Sequence, residues 1–187
     1  MPGKKRPESL AKARTQMRED SAGSKSSTNN ALLAIAAAGL IAGTVDLLHA
    51  FILFGWDIPL SIAAGLLGPQ AAEHGGVATY VLGVFLHFFI AFTAAAVYYA
   101  ESRRLPFLTE YPLVCGLFFG VAVELVMRLV VLPLSALHAR GPYELRDMIR
   151  GLLFHMVTVG LPISYSIRRF AKHPQMTARA ELVQDAT

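Results

Sequence analysis

Four stretches of this chain, 31–54, 77–100, 113–134 and 148–167, are apolar over roughly the ~20 residues that a helix needs to cross a ~30 Å hydrocarbon layer. In lipid no water is available to backbone N–H and C=O groups, so segments of this kind must satisfy their own hydrogen bonds as helices. The chain is therefore predicted to be all-α, a four-transmembrane-helix bundle. Its balance of 54% hydrophobic against 16% charged residues is wrong for an ordinary soluble domain and suits a small polytopic membrane protein.

Six ionisable side chains lie inside these apolar stretches: Asp46 and His49 in the first, His87 in the second, Glu124 and Arg128 in the third, His155 in the fourth. A charge or an unpaired imidazole in hydrocarbon costs several kcal/mol, so such groups are expected to face a protein interior, pair with one another and mark a site. With a rise of ~1.5 Å per residue, Asp46, His87, Glu124 and His155 all fall within roughly 10–15 Å of the same membrane surface, in one layer. Asp46 with His49, and Glu124 with Arg128, have the spacing of neighbours on a helix face.

Charge outside the spans sets the expected orientation. Residues 1–30 carry seven Lys or Arg, residues 103–104 two and residues 168–187 four, whereas Arg140, Arg146 and Arg150 lie on the other side. The positive-inside bias places the N and C termini in the cytoplasm. Residues 1–30 and 171–187 are expected to be tails, the first basic and mobile, with a marginal helix from about Glu8 to Asp20. No aromatic residues interleave the basic ones, so nucleic acid is not an expected partner. The first apolar run is too long for a secretory signal and is read as a signal anchor. Pro112 and Pro142 sit where first helical turns are expected, and Trp56, Tyr143, Tyr98, Tyr99 and Tyr165 fall near span ends as an aromatic belt. Residues 57–74, broken by Pro59, Gly65, Gly68 and Pro69, are too short to cross; an interfacial helix is expected, with a re-entrant segment lining a pathway as the alternative.

The spans read as two related helical hairpins. GLIAGTVDLLH from Gly39 parallels GLFFGVAVELVMR from Gly116, each with a Gly-x-x-x-Gly pair followed by a carboxylate. Gly39 with Gly43, and Gly116 with Gly120, leave one helix face open to close approach by a neighbour. Gly83 precedes His87 by four residues as Gly151 precedes His155, both even-numbered spans end in paired arginines, and Pro59-Leu60-Ser61 parallels Pro133-Leu134-Ser135. Hairpins that each enter and leave on the cytoplasmic side are related by an axis along the membrane normal.

Three uses of the polar layer follow from its chemistry. As pure structure, Glu124 and Arg128 form an ion pair, Asp46 bonds His49, and the other histidines bond backbone or hydroxyls such as Thr93 and Thr158, fixing helix register. As an ion or small-ligand path, histidine beside a carboxylate suits proton coupling. As a metal centre or a bis-histidine haem site, His87 and His155 would be the axial pair, with Gly83 and Gly151 making room; no tight ligand spacing such as HExxH is present, and no cofactor is assigned. The lone cysteine, Cys115, allows no intrachain disulfide or Cys-x-x-Cys site and reads as an apolar filler. Nucleophile elbows and phosphate-cradling glycine loops are missing, so an enzyme is not expected.

Residues 112–170, with GLFFGVAVELVMRLVVLPLSAL, then Pro142-Tyr143-Glu144, then GLLFHMVTVGLPISYSIRRF, resemble the YagU-like bacterial inner-membrane proteins. The resemblance implies a multi-pass inner-membrane protein connected with acid tolerance and supplies no catalytic residues. Two functions are expected to compete: a proton- or ion-responsive transport or channel component, and a non-catalytic assembly or stress protein whose glycine faces dock a second copy or a partner in the lipid bilayer.

Overall fold

The computed structural model describes the backbone of residues 6–171 and the side chains of residues 28–170. The tail expected over 1–30 is helical from Arg6 onward and continuous with the first span, in place of the short helix expected from about Glu8 to Asp20; most of the other tail, 172–187, lies outside the described residues. The chain folds as seven helices in this range: α1 (Arg6–Phe54), α2 (Ile58–Leu67), α3 (Pro69–His74), α4 (Gly76–Arg104), α5 (Phe107–Glu110), α6 (Pro112–Leu134) and α7 (Leu145–Phe170). Four segments are long and apolar enough to cross a membrane: Thr28–Phe54 within α1, and the whole of α4, α6 and α7. Each begins one to three residues before its expected start.

α1 is the centre of the bundle. Ala34, Ala38 and Ala42 recur every fourth residue, so they stack on one face. That face packs on Ala95 and Tyr98 of α4 and on Val159, Ile163 and Ile167 of α7. Where lipid removes the hydrophobic drive between helices, such small residues gain van der Waals contact by letting backbones approach. α6 packs on the opposite side of α7, so the long helices form an arc in the order α4, α1, α7, α6. Leu40, Val45, Ile52, Phe85, Phe89, Phe118, Leu129 and Val157 are exposed on its outside. An apolar surface of this extent fits contact with lipid.

Both Gly-x-x-x-Gly faces are used inside their own hairpins. A Cβ on Gly39 would stand 2.9 Å from Phe92 Cε1 and one on Gly43 2.9 Å from Phe88 Cδ1, both on α4; one on Gly120 would stand 2.6 Å from Met156 N, on α7. A Cβ on Gly116 would collide with Ser164 and the Gly160 carbonyl.

The internal repeat is incomplete, however. A two-fold axis would pack α4 against α6 as α1 packs against α7, yet α4 and α6 meet through side chains, notably the Tyr98 and Phe119 rings at 4.9 Å. The cause is α2, which has no counterpart in the second hairpin. Pro59 of α2 lies against Gly83 of α4, where an added Cβ would come within 2.9 Å of Pro59 Cα, and Ala136 N–H donates to Gly65 C=O at 2.8 Å just beyond α6. α2 thus bridges the two outer helices of the arc. The Pro-Leu-Ser match fails for the same reason: Pro59 opens a helix and Pro133 lies in the last turn of one. Pro142 also differs from expectation, since α7 starts only at Leu145.

Two leucine-proline steps widen the helices. Met127–Val131 in α6 and Met156–Gly160 in α7 are π-helical, and each is followed by Leu-Pro, Leu132-Pro133 and Leu161-Pro162. A proline ring clashes with the carbonyl four residues back and donates no hydrogen bond, and a wider turn relieves that clash. The Leu132 N–H accordingly reaches back five residues to Met127 C=O, and the Leu161 N–H to Met156 C=O.

Candidate functional site

Glu124 occupies the last α-helical turn before the wide turn of α6 and is 3% exposed, the most buried charged residue described. Its Oε1 accepts from Arg128 Nε, one turn on, and its Oε2 lies 3.0 Å from His155 Nδ1 on α7. The same Nδ1 lies 3.1 Å from Gly151 C=O. A carbonyl only accepts, so Nδ1 carries the proton and shares it between carbonyl and carboxylate. Gly151 is required here: a Cβ would run into Glu124 Oε1 and stand 2.8 Å from Arg128 Nη2.

Arg128 reaches further. Its Nη2 donates to Asp147 C=O at 2.9 Å, and its guanidinium carbon lies 5.2 Å from the centroid of the Tyr143 ring. The Tyr143 hydroxyl donates to Arg128 C=O at 2.9 Å. In a π-helix that carbonyl would accept from the residue five positions on, which is Pro133 and has no N–H to offer. Tyr143 supplies the missing donor. The sequence placed Tyr143 in an aromatic belt and gave no sign of this role.

Asp46 and His49 do not pair. Asp46 Oδ1 accepts from Thr158 Oγ1 at 2.6 Å, a bond across 112 positions of sequence, and the His49 ring instead stacks on Phe154 at 4.1 Å. Thr158 Oγ1 also lies 3.0 Å from Phe154 C=O. His87 Nε2–H donates to Gly43 C=O of α1 at 2.8 Å, which fixes the proton on Nε2 and leaves Nδ1 free to accept. Thr93, the other expected hydroxyl partner, bonds Phe89 C=O within its own helix.

These side chains converge on the space that α4 and α6 leave between them. A cavity of about 330 Å³ is lined by Asp46, His87 and His155 and otherwise mostly by aliphatic groups from α2, α4 and α6, including Ile58, Ile62, Ile90 and Met127. A second cavity of about 580 Å³ shares Asp46, His87 and His155 and adds Glu124, Arg128, Asp147 and Arg150. Five of the six sequence candidates thus line one or both of two cavities that share wall residues, and His49 stacks on Phe154, which lines the second. α2 forms a wall of the first cavity through Ser61 and Gly65 as well as its two isoleucines.

Among the described residues, no three His, Cys, Asp or Glu side chains are grouped closely enough to hold a metal ion. His87 and His155 each spend one ring nitrogen on a carbonyl of the bundle. Cys115 is buried, with Sγ 3.7 Å from Phe107 C=O, as a small filler would be.

Fold and site together define a helical bundle of the multi-pass membrane class, with polar groups of all four long helices gathered at an internal cavity. No protein-family model matches the chain, and no curated protein or solved structure is significantly similar to it.

Proposed function

We propose that this chain is a proton- or ion-responsive transport or channel component of the bacterial inner membrane, with both termini cytoplasmic. The observation that carries the proposal is the sharing of Asp46, His87 and His155 between two mainly apolar cavities, the second of which also borders Glu124, Arg128, Asp147 and Arg150. A register-fixing network needs pairs and no space beside them; this one borders two cavities. Imidazole changes charge in the neutral range and is the natural proton acceptor in such a setting. Thirteen Lys or Arg on one side of the spans against three on the other support the orientation. The likeness of residues 112–170 to the YagU-like proteins supports the inner membrane as location, and acid tolerance would be a consistent physiological use.

The competing assembly role depended on free glycine faces. Those faces are filled by Phe88, Phe92, Met156 and Ser164 of the same chain, so they are not the surface on which a homo-oligomer would form.

The test is pH-dependent ion flux into liposomes holding the full chain. Glu124→Gln combined with His87→Ala is expected to abolish the pH dependence. Flux that keeps its pH dependence in the double variant would overturn the proposal.

A further inference from the structure

Charge accounting at the cavity points to what it takes up. Two arginines line the second cavity, and each has a carboxylate partner: Arg128 pairs with Glu124, and Arg150 lies 3.6 Å from Asp147. His87 and His155 each donate a ring N–H to a carbonyl, Gly43 and Gly151, and the second acceptor of His155 is the same Glu124. Asp46 is left as the carboxylate at the cavities that no arginine pairs with, and protonated His155 is the cation whose charge it meets. Its Oδ1 takes the Thr158 hydroxyl, no described donor reaches Oδ2, and that oxygen is not sealed off, since no buried side-chain oxygen or nitrogen lacks a partner. Around it the wall is aliphatic: Ile58, Ile62, Ile90, Val123, Met127 and Leu132.

An unpaired carboxylate in apolar surroundings is costly, and an incoming cation offsets that cost where a neutral or anionic guest does not. A small hydrated metal ion is poorly served, since aliphatic walls replace none of its water ligands. An organic monocation buries its apolar substituents on those walls while its charge meets Asp46. A cavity of about 330 Å³ is at the small end of the range that holds organic ligands.

Resting on the transport reading above, we infer that the cavity between α4 and α6 binds small lipophilic ammonium ions, with Asp46 as counter-ion. The backbones of α4 and α6 stay apart at the cavity, and α2 spans the gap between them. The titratable and charged groups around Asp46 are His49 on its own helix, His87 on α4, His155 and the Asp147–Arg150 pair on α7, and the Glu124–Arg128 pair on α6; the cavity-lining residues of α2 are not titratable. A proton taken up by His155 adds positive charge to the same space. Cation binding therefore weakens as pH falls, and proton and ammonium ion exclude one another.

Equilibrium dialysis of radiolabelled benzyltrimethylammonium against the full chain in an uncharged detergent tests this. The expected result is saturable binding of one ion per chain, tighter at pH 8 than at pH 5. Neopentylbenzene, the same shape with carbon in place of the charged nitrogen, is expected not to compete. Asp46→Asn should weaken binding at least tenfold and Asp46→Glu by less than that, which separates loss of charge from loss of structure. Absence of saturable binding to the unmodified chain, equal competition by neopentylbenzene, or undiminished binding by Asp46→Asn would each overturn the inference. If the chain fails to bind the ion while Glu124→Gln with His87→Ala still abolishes pH-dependent flux, the ligand class alone falls. Should binding hold and the flux be indifferent to those substitutions, the transport reading falls instead.

Discussion

The Tyr143 hydroxyl donates to the Arg128 carbonyl at 2.9 Å, filling the position that Pro133, lacking an N–H, leaves empty in the wide turn of α6. One loop residue thereby completes the backbone of a transmembrane helix and holds its ring near the arginine that pairs with Glu124. An unmade hydrogen bond of a buried backbone group costs about 1–3 kcal/mol. Tyr143→Phe keeps the ring and removes only the donor, so it should lower unfolding stability in detergent by about that amount. Unchanged unfolding midpoints would show that water serves the carbonyl equally well.

The Glu124–Arg128 pair is nearly sealed, with side-chain exposures of 5% and 19%. Removing one member of a buried pair strands the other, at a cost of about 3–5 kcal/mol, whereas replacing both by apolar groups is often neutral. Arg128→Met alone should therefore destabilise far more than Glu124→Leu and Arg128→Met together. A double-mutant cycle on chemical unfolding reads this directly, and additive losses would contradict it.

Gly151 gives the pair its room. Gly151→Ala is expected to displace Glu124 from His155, because its Cβ would occupy the carboxylate's place. The imidazole NH resonance of His155, followed by NMR, should shift in Gly151→Ala as it does in Glu124→Gln. A spectrum like that of the unmodified chain would show that α6 simply moves aside.

Glycines on α1 and α6 separate internal packing from docking. Gly39→Leu and Gly116→Leu should lower the yield of folded chain, since phenylalanine rings in one case and the α7 backbone in the other fill those sites. Crosslinked dimers, if the unmodified chain forms them, should persist in the milder Gly43→Ala. Selective loss of dimers in a fully folded Gly43→Ala would place the face at an interface between copies.

Span number, helical class and the inward-facing polar residues were legible in the sequence because each follows from a local cost. Length against bilayer thickness fixed the spans, and the expense of charge in hydrocarbon singled out Asp46, His87, Glu124, Arg128 and His155. The pairings were less legible. The partner of Asp46 is Thr158, 112 positions away, and no local spacing encodes that contact. His49 has the helical offset to meet Asp46, but Phe154 offers its ring a stacking surface. The two π-helical turns did leave a trace, a Leu-Pro step inside a long apolar run at 132–133 and again at 161–162. The broken symmetry of the hairpins left none, since it arises from where α2 packs.

Everything functional depends on Asp46, His87 and His155 facing a cavity while their neighbours face lipid. Cys115 is the single cysteine, so Cys115→Ser provides a clean background for nitroxide labels. Labels at Asp46→Cys, His87→Cys and His155→Cys, each reconstituted in bilayers, are compared with labels at the exposed positions Val45→Cys, Phe85→Cys and Leu153→Cys. The accessibility of each label to a water-soluble nickel chelate and to oxygen decides the matter. The expected result is chelate access without oxygen enrichment at 46, 87 and 155, and the reverse at 45, 85 and 153. Oxygen enrichment at the first three positions would mean that they face acyl chains, and the account would be wrong.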